Sequence, residues 1–422
     1  MWVFLMIDLL RNQAFVRFWL AGFFVIVSTW MLFITMQVMV YELTGSTLAT
    51  GMILVCTSLP GVLLGPVAGV LVDRWSRRRV MAVGALALAA LLLAGIPDTR
   101  EVSVTWLYAI ILVQAVIMAF FAPAENALLP GLVREEDIAP ANAWNAMNDN
   151  LGNILGPSAG AFLYVQVGFT ATLATCALLF LAGWAVIVGL PEVRSDRAGR
   201  MRADLVAPGI MQAVPSVWRD LLIGLRAVRT SRLLLVPVVA FALYTLADVP
   251  LTAVLPVFVG DSLGVGPAAF GTMLTIRGIT GLAGGIVVAA VSRHIHATTL
   301  LAVGLVLYGA SIATWGVINT YLLGLAITVP VGIAAAGIQT GLYTLLQKGA
   351  PDAVRGRVFG LVGTLNGAIA LSVGLMAGGL GEVTGTRAVV ILSGCLQILP
   401  VLLVVMQLRP WRWPSRPARG LG

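Results

Sequence analysis

Twelve times along this 422-residue chain an apolar run of roughly 18 to 27 residues gives way to a short polar break. The runs lie at about 15–41, 46–72, 80–97, 104–124, 141–164, 168–190, 233–259, 267–291, 297–318, 321–346, 356–381 and 386–408. A helix needs about 20 such residues to cross the hydrocarbon core, whereas a barrel strand needs only about 10. Helices and closed barrels alone satisfy their backbones in lipid, so runs of this length predict an all-α membrane protein with twelve transmembrane helices. With 59% hydrophobic and 10% charged residues, the chain has too much apolar surface for a soluble fold, and the lipid bilayer is its expected partner. The first run follows Arg11 and Arg17 and lacks a small-residue cleavage site, so it is expected to persist as a span rather than to leave as a signal peptide.

Charge placement sets the expected orientation. With the N-terminus inside, all of the 26 lysines and arginines except Arg100, Arg277 and Arg387 fall on the cytoplasmic side. That asymmetry is the positive-inside pattern, and it places both termini in the cytoplasm. It also removes a nucleic-acid reading of the net charge of +8, because the arginines sit in short loops between spans rather than on one polar face. Cys56, Cys176 and Cys395 all lie within apolar runs, with no disulfide framework and no metal-ligand spacing.

The longest polar stretch divides the chain into an N-terminal six-helix bundle (1–190), a cytoplasmic linker (191–232) and a C-terminal six-helix bundle with a basic tail (233–422). Within the linker, Val217, Leu221, Leu225 and Val228 share one helical face and Arg219, Arg226 and Arg229 the other, as in an amphipathic helix at the membrane surface or a solvated linker helix. A faint repeat relates the halves. Gly65-x3-Gly69 leading to Ser76-Arg77 matches Gly281-x3-Gly285 leading to Ser292-Arg293 at a constant offset of 216. Duplicated halves of this kind build many secondary transporters, with the substrate near the midplane between them.

Three groups of residues suggest a family. Gly69-x3-Asp73-Arg74-x2-Arg77-Arg78 resembles the loop signature of the major facilitator superfamily, with Ser76 where that pattern has glycine. The resemblance implies that Asp73 latches the halves together against the eleventh span, with Arg74, Arg77 and Arg78 at the cytoplasmic surface; a purely topological role is the alternative for Arg78 and Arg79. Gly65 and Gly69 are expected to allow close helix packing. Gly152-x3-Gly156-Pro157-x2-Gly160 resembles the fifth-span element of the superfamily's drug–proton antiporters, where glycines permit close contact and the proline bends the helix. Phe121-Ala-Pro-Ala124, Leu129-Pro-Gly-Leu-Val133, Ala141-Asn142 and Gln347-x3-Pro351-Asp-Ala-Val-Arg355-Gly-Arg357-Val358 are similar to the subgroup holding enterobactin exporters and macrolide efflux proteins. The resemblance implies two pseudo-symmetric six-helix bundles, the major facilitator fold. The superfamily's fourth-span arginine is absent here, although Gln114 of that pattern is present.

Ionisable groups inside spans are costly and mark candidate sites. Asp248 and Arg277 both lie about 15 Å from the same membrane face at 1.5 Å per residue, so an ion pair between neighbouring spans is expected, serving either proton coupling or structure. Asp149 shares a polar stripe with Asn142, Asn145 and Asn153 in the fifth span. Glu42 and Glu382 near outer ends, and Glu125 near the inner end of the fourth span, are expected at interfaces or in gates. In the superfamily, spans one, four, seven and ten line the cavity. Here they carry Trp30, Gln37 and Tyr41; Gln114 and Met118; Tyr244, Asp248 and Thr252; and Gln339, Tyr343 and Gln347. This aromatic, amide-rich set suits a bulky amphipathic molecule.

No enzyme motif is present, and no metal site or cofactor is expected; His294 and His296 stand in a short loop without further ligands. The sequence therefore reads as a secondary transporter of the bacterial inner membrane. The expected activity is proton-coupled export of amphipathic drugs or natural products by alternating access, with a monomer as the expected state. A dedicated siderophore or metabolite exporter, and a transport-inactive sensor or assembly factor, are the alternatives.

Overall fold

Each backbone N–H and C=O in lipid must be paired within its own segment, so the apolar runs form helices and the polar breaks supply their caps. The computed structural model describes residues 9–95, 102–191, 210–292 and 294–408, and these are helical throughout, with no strand among them. Arg100, Arg293, the first part of the linker and the basic tail lie outside the described residues. The spanning helices are Gln13–Thr44, Thr47–Arg74, Arg77–Ala94, Val104–Leu128, Ile138–Val188, Arg232–Val257, Pro267–Val291, Ala297–Val317, Tyr321–Gly349, Asp352–Thr384 and Thr386–Leu408. Polar breaks cap them as side-chain chemistry requires: Asn12 accepts from the Ala14 and Phe15 amides, and Ser46 and Ser103 cap the second and fourth spans. The third span starts at Arg77 rather than after the arginine cluster, with Ser76 at its N-cap position.

Ile138–Val188 holds two of the expected spans. It breaks at Gly168, whose φ of 83° and ψ of 175° only glycine adopts readily. Contacts with the first span show that the chain doubles back there. Trp19 Nε1 donates to the Trp144 carbonyl and Arg17 to the Gly189 carbonyl, while Ser28 donates to the Cys176 carbonyl and Tyr164 to Glu42. Residues 144 and 189 are therefore level with each other at one end, and 164 lies at the other. Spans are numbered in chain order below, with 138–167 as the fifth and 169–188 as the sixth.

In the first half, span one packs on the fifth–sixth hairpin, and spans two and three pack on span four. In the second half, span seven packs on spans eleven and twelve, and spans eight and nine pack on span ten. The neighbour pattern thus repeats six helices later, as expected of two pseudo-symmetric six-helix halves. Two large contacts join the halves, span two with span eleven and span five with span eight, and smaller ones set span seven against spans one and two. The linker helix, Ile210–Thr230, lies against spans seven and eleven, with Gly224 close to the Arg357 carbonyl and Arg219, Arg226 and Arg229 exposed. Leu221 and Val228 turn inward as expected, whereas Leu225 is exposed.

Close packing is steric and therefore testable. A Cβ on Gly394 in span twelve would stand 2.3 Å from the Ala313 amide nitrogen and 2.6 Å from the Gly309 carbonyl of span nine. Backbone atoms cannot swing aside, so Gly394→Ala is expected to cost about 1–3 kcal/mol of stability. Gly285→Ala, with open space around it, is expected to be neutral. Thermal unfolding of the two detergent-solubilised variants compares them directly; equal melting temperatures would contradict this packing.

Candidate functional site: a gated central cavity and a buried polar chain

Among the described residues, the hydrogen bonds between the halves lie toward the face opposite the linker. There Tyr41 donates to Asp261 at 2.6 Å, Gln37 to the Thr252 carbonyl at 3.4 Å and Thr50 to the Ala253 carbonyl at 2.8 Å. Thr47 donates to the Gly378 carbonyl at 2.6 Å, Ser46 donates to Glu382, and Ser158 donates to the Leu274 carbonyl at 3.1 Å. Glycines let the backbones touch. A Cβ on Gly51 would fall 2.7 Å from the Gly374 carbonyl, and one on Gly378 would fall 2.7 Å from Leu48 Cα.

Gly65, Gly285, Gly360 and Gly363 face open space. The close packing expected at Gly65 is thus not made in this conformation, whereas Gly51 of the same span makes it. On the linker-side parts of spans five and ten, Asp149, Asn153, Gln339, Tyr343 and Gln347 are all exposed. Asn142 and Asn153 turn their amides back to carbonyls of their own helix.

The fifth-span glycines meet span one. A Cβ on Gly152 would strike Ile26 at 2.7 Å, one on Gly156 would strike Trp30 Cβ at 2.5 Å, and one on Gly160 would strike the Met31 carbonyl at 2.7 Å. Pro157 lies inside this helix. Trp30 also packs edge-on against Phe33 at 5.7 Å. Arg77 donates to the Ala127 carbonyl and Arg78 to the Leu190 carbonyl, pinning the second-to-third-span turn to the ends of spans four and six. Gly69, Asp73 and Arg74 belong to the second-span helix, but the latch assigned to them lies outside the described side chains.

The expected cavity set divides by location. Gln37 and Tyr41 belong to the closed gate, and Gln114 is buried with its Nε2 unpaired. Met118 accepts a weak contact from Thr29, and Thr252 bonds the Asp248 carbonyl one turn back. Tyr343 stacks on Phe359 with an interplanar angle of 7°.

Asp248 and Arg277 come together, but not as the direct pair expected. Tyr308 stands between them: Arg277 Nη2 donates to the tyrosine oxygen at 3.2 Å, and the hydroxyl donates to Asp248 Oδ1 at 2.9 Å. Tyr244 closes edge-on against Tyr308, with ring centroids 5.9 Å apart, and Arg277 Cζ lies 5.9 Å from the Tyr308 centroid. Tyr308 is fully buried, while Asp248, Arg277 and Tyr244 keep partial access. The chain ties spans seven, eight and nine within the second half. Tyr308 was absent from the sequence-based set, although it lies about 15 Å from the same end of its span as Asp248 and Arg277 do of theirs. Matching depths, not periodicity, would have found it.

A two-half helical array meeting at spans two–eleven and five–eight has one strong sequence counterpart, since the profile of the Major Facilitator Superfamily matches residues 18–375. The chain belongs to the Major Facilitator Superfamily. Its members are transporters, not enzymes. Among curated relatives, the multidrug efflux pump Tap of Mycolicibacterium fortuitum is 27% identical over 404 residues, covering 90% of this chain and 92% of Tap. Macrolide efflux protein A of Streptococcus pyogenes is 25% identical, covering 86% of this chain and 88% of that protein. The enterobactin exporter EntS of Citrobacter koseri is 24% identical, covering 98% and 97%. The fold is also that of a crystal structure of the peptide transporter POT, with a TM-score of 0.71 at 15% identity and 94% and 95% coverage.

Proposed function

We propose that this facilitator exports amphipathic organic molecules across the bacterial inner membrane by proton antiport, with residues 1–190 and 233–422 as the two moving bundles. The relatives named for macrolide, multidrug and enterobactin efflux support export. The arginine distribution supports a cytoplasmic linker side, which makes the described state inward-open. Substrate enters the cavity past Trp30, Gln114, Met118, Tyr244, Gln339, Tyr343 and Gln347. The far-side gate then opens as the linker side closes, with Asp73 and Arg74 latching the closed inner face and the Gly152–Gly160 element sealing span five against span one.

The observation that carries the coupling is the Asp248–Tyr308–Arg277 chain. With Asp248 ionised, the chain is neutral overall and tolerable in lipid. A proton on Asp248 leaves the Arg277 charge uncompensated at depth, at a cost of about 2.5–3.5 kcal/mol on insertion scales. A conformation that gives Arg277 more water is then favoured. For antiport the proton arrives from the far side after the substrate leaves, so this bias drives the return to the inward-open state, in which the gate re-forms cross-half hydrogen bonds worth about 0.6 kcal/mol each in membrane proteins, an energy of comparable size.

The test uses purified protein in liposomes loaded with a pH-sensitive dye, with erythromycin or ethidium supplied under an imposed proton gradient. Substrate should accumulate against its own gradient with matching proton flux in the opposite direction. Accumulation that survives collapse of the gradient would overturn antiport. EntS covers nearly the whole chain, which favours a second reading, a dedicated siderophore exporter. Transport of a catecholate siderophore with no movement of either drug would select it.

A further inference from the structure

The linker helix, Ile210–Thr230, has one face in the protein and one outside it. Gly224 and Val228 are buried where the helix packs on spans seven and eleven, and it also touches span two of the first half. The outer face carries Arg219, Leu222, Arg226 and Arg229, whose spacing of three, four and three makes them one stripe along the helix. All four are exposed, Leu222 at 59%, and Leu225 is exposed beside them. Among the described residues, no hydrogen bond or ion pair holds any of the three arginines. The helix contains a single acid, Asp220, to set against them. It ends at Ser231, whose carbonyl accepts from the Leu234 and Leu235 amides in the first turn of span seven. Leu233 and Leu235 of that turn are exposed as well, so this corner holds the stripe at the level where span seven enters lipid.

Arg226 and Arg229 are neighbours on the helix and repel each other unless an anion lies between them. The helix dipole accounts for Arg229 in the last turn, but not for Arg219 almost three turns earlier. A soluble anion would satisfy the arginines and leave the leucines in water. A purely apolar surface would cover the leucines and leave the charges unmatched. A phospholipid of net negative charge answers both, with a phosphate for the guanidinium groups and acyl chains for the leucines. We propose that the outer face of the linker helix binds an anionic phospholipid. Arg219, Arg226 and Arg229 take its headgroup, and Leu222 and Leu225 lie against its chains. A zwitterionic lipid carries the same phosphate beside its own cation, so the fit is to a headgroup with net charge. Because the helix touches both halves, lipid bound here sits on an element that the halves share. The site is independent of the export reading.

Native mass spectrometry of the full chain, stripped of lipid in detergent, tests this without any transport step. The protein is titrated with dioctanoyl phosphatidylglycerol, dioctanoyl phosphatidylcholine or inorganic phosphate. The anionic lipid is expected to bind at least about tenfold more tightly than the zwitterionic one. Replacing the three arginines together (R219Q, R226Q, R229Q) should abolish that preference, at about fivefold per arginine. Replacing both leucines (L222Q, L225Q) should weaken the two lipids alike. All five side chains are exposed, so both variants should melt with the parent protein. Equal binding of the two lipids, or a preference that survives the glutamine variant, would overturn the site. Inorganic phosphate bound as tightly as the anionic lipid, or lipid binding indifferent to the leucines, would overturn it too, because the ligand would then be a soluble anion.

Discussion

Asp248→Asn is expected to reduce proton-driven efflux at least about tenfold while leaving substrate counterflow near wild type. The substitution keeps the size of the side chain and its capacity to accept from Tyr308, but it fixes the position in a permanently neutral form. If the described gate depends on a 2.5–3.5 kcal/mol penalty switched by that proton, removing the switch removes the bias, and each 1.4 kcal/mol is a factor of ten. Counterflow needs no net proton movement, so it should survive. Tyr308→Phe separates the chain from its ends: the ring still packs against Tyr244, but neither Arg277 nor Asp248 has its bridging hydroxyl. Its efflux should fall with a displaced pH profile rather than vanish at every pH. Full gradient-driven flux in Asp248→Asn would reduce the chain to a structural tie between spans seven, eight and nine.

The second large effect is expected at the far-side gate. Gly378→Val places a branched side chain where a Cβ already stands 2.7 Å from Leu48 Cα and 2.8 Å from the Thr47 carbonyl. Main chain on both sides cannot yield, so the two halves must separate there. Each half keeps its own packing, because this contact belongs to neither. The variant should therefore fold, lose most transport, and expose the gate. Thr50 is fully buried beside the Ala253 carbonyl in the closed state. In a background free of Cys56, Cys176 and Cys395, Thr50→Cys should react about tenfold faster with a membrane-impermeant maleimide when Gly378→Val is present. Unchanged labelling alongside normal transport would show that spans two and eleven do not form the seal.

How far the sequence could be read depended on what each feature is made of. The spans were legible because lipid leaves the backbone one solution, and the Gly65 and Gly281 copies already pointed to paired halves. The fifth-span glycines were legible for the same reason: spacing by four puts small residues on one face, and Trp30 and Met31 of span one indeed lie against it. Contacts between helices far apart in sequence were not legible. No periodicity brings Tyr308 between Asp248 and Arg277, and Tyr41 reads as a cavity residue until Asp261 is found beside it. Glu125 looked interfacial because it is near a helix end, yet Gly22 and Asn148 close around it. Gly65 shows the opposite error, a packing residue by pattern that faces space in this conformation.

The doubled-back turn at Gly168 has a counterpart. Gly385, between spans eleven and twelve, has φ 82° and ψ 151°, and it too joins two spans through a single residue. Spans five and eleven each touch the opposite half, so each is welded to a neighbour that packs within its own bundle. A joint one residue long stores no slack. Force applied where span five meets span eight, or span two meets span eleven, reaches spans six and twelve without delay, and each bundle tilts like a folded rule rather than sliding helix by helix.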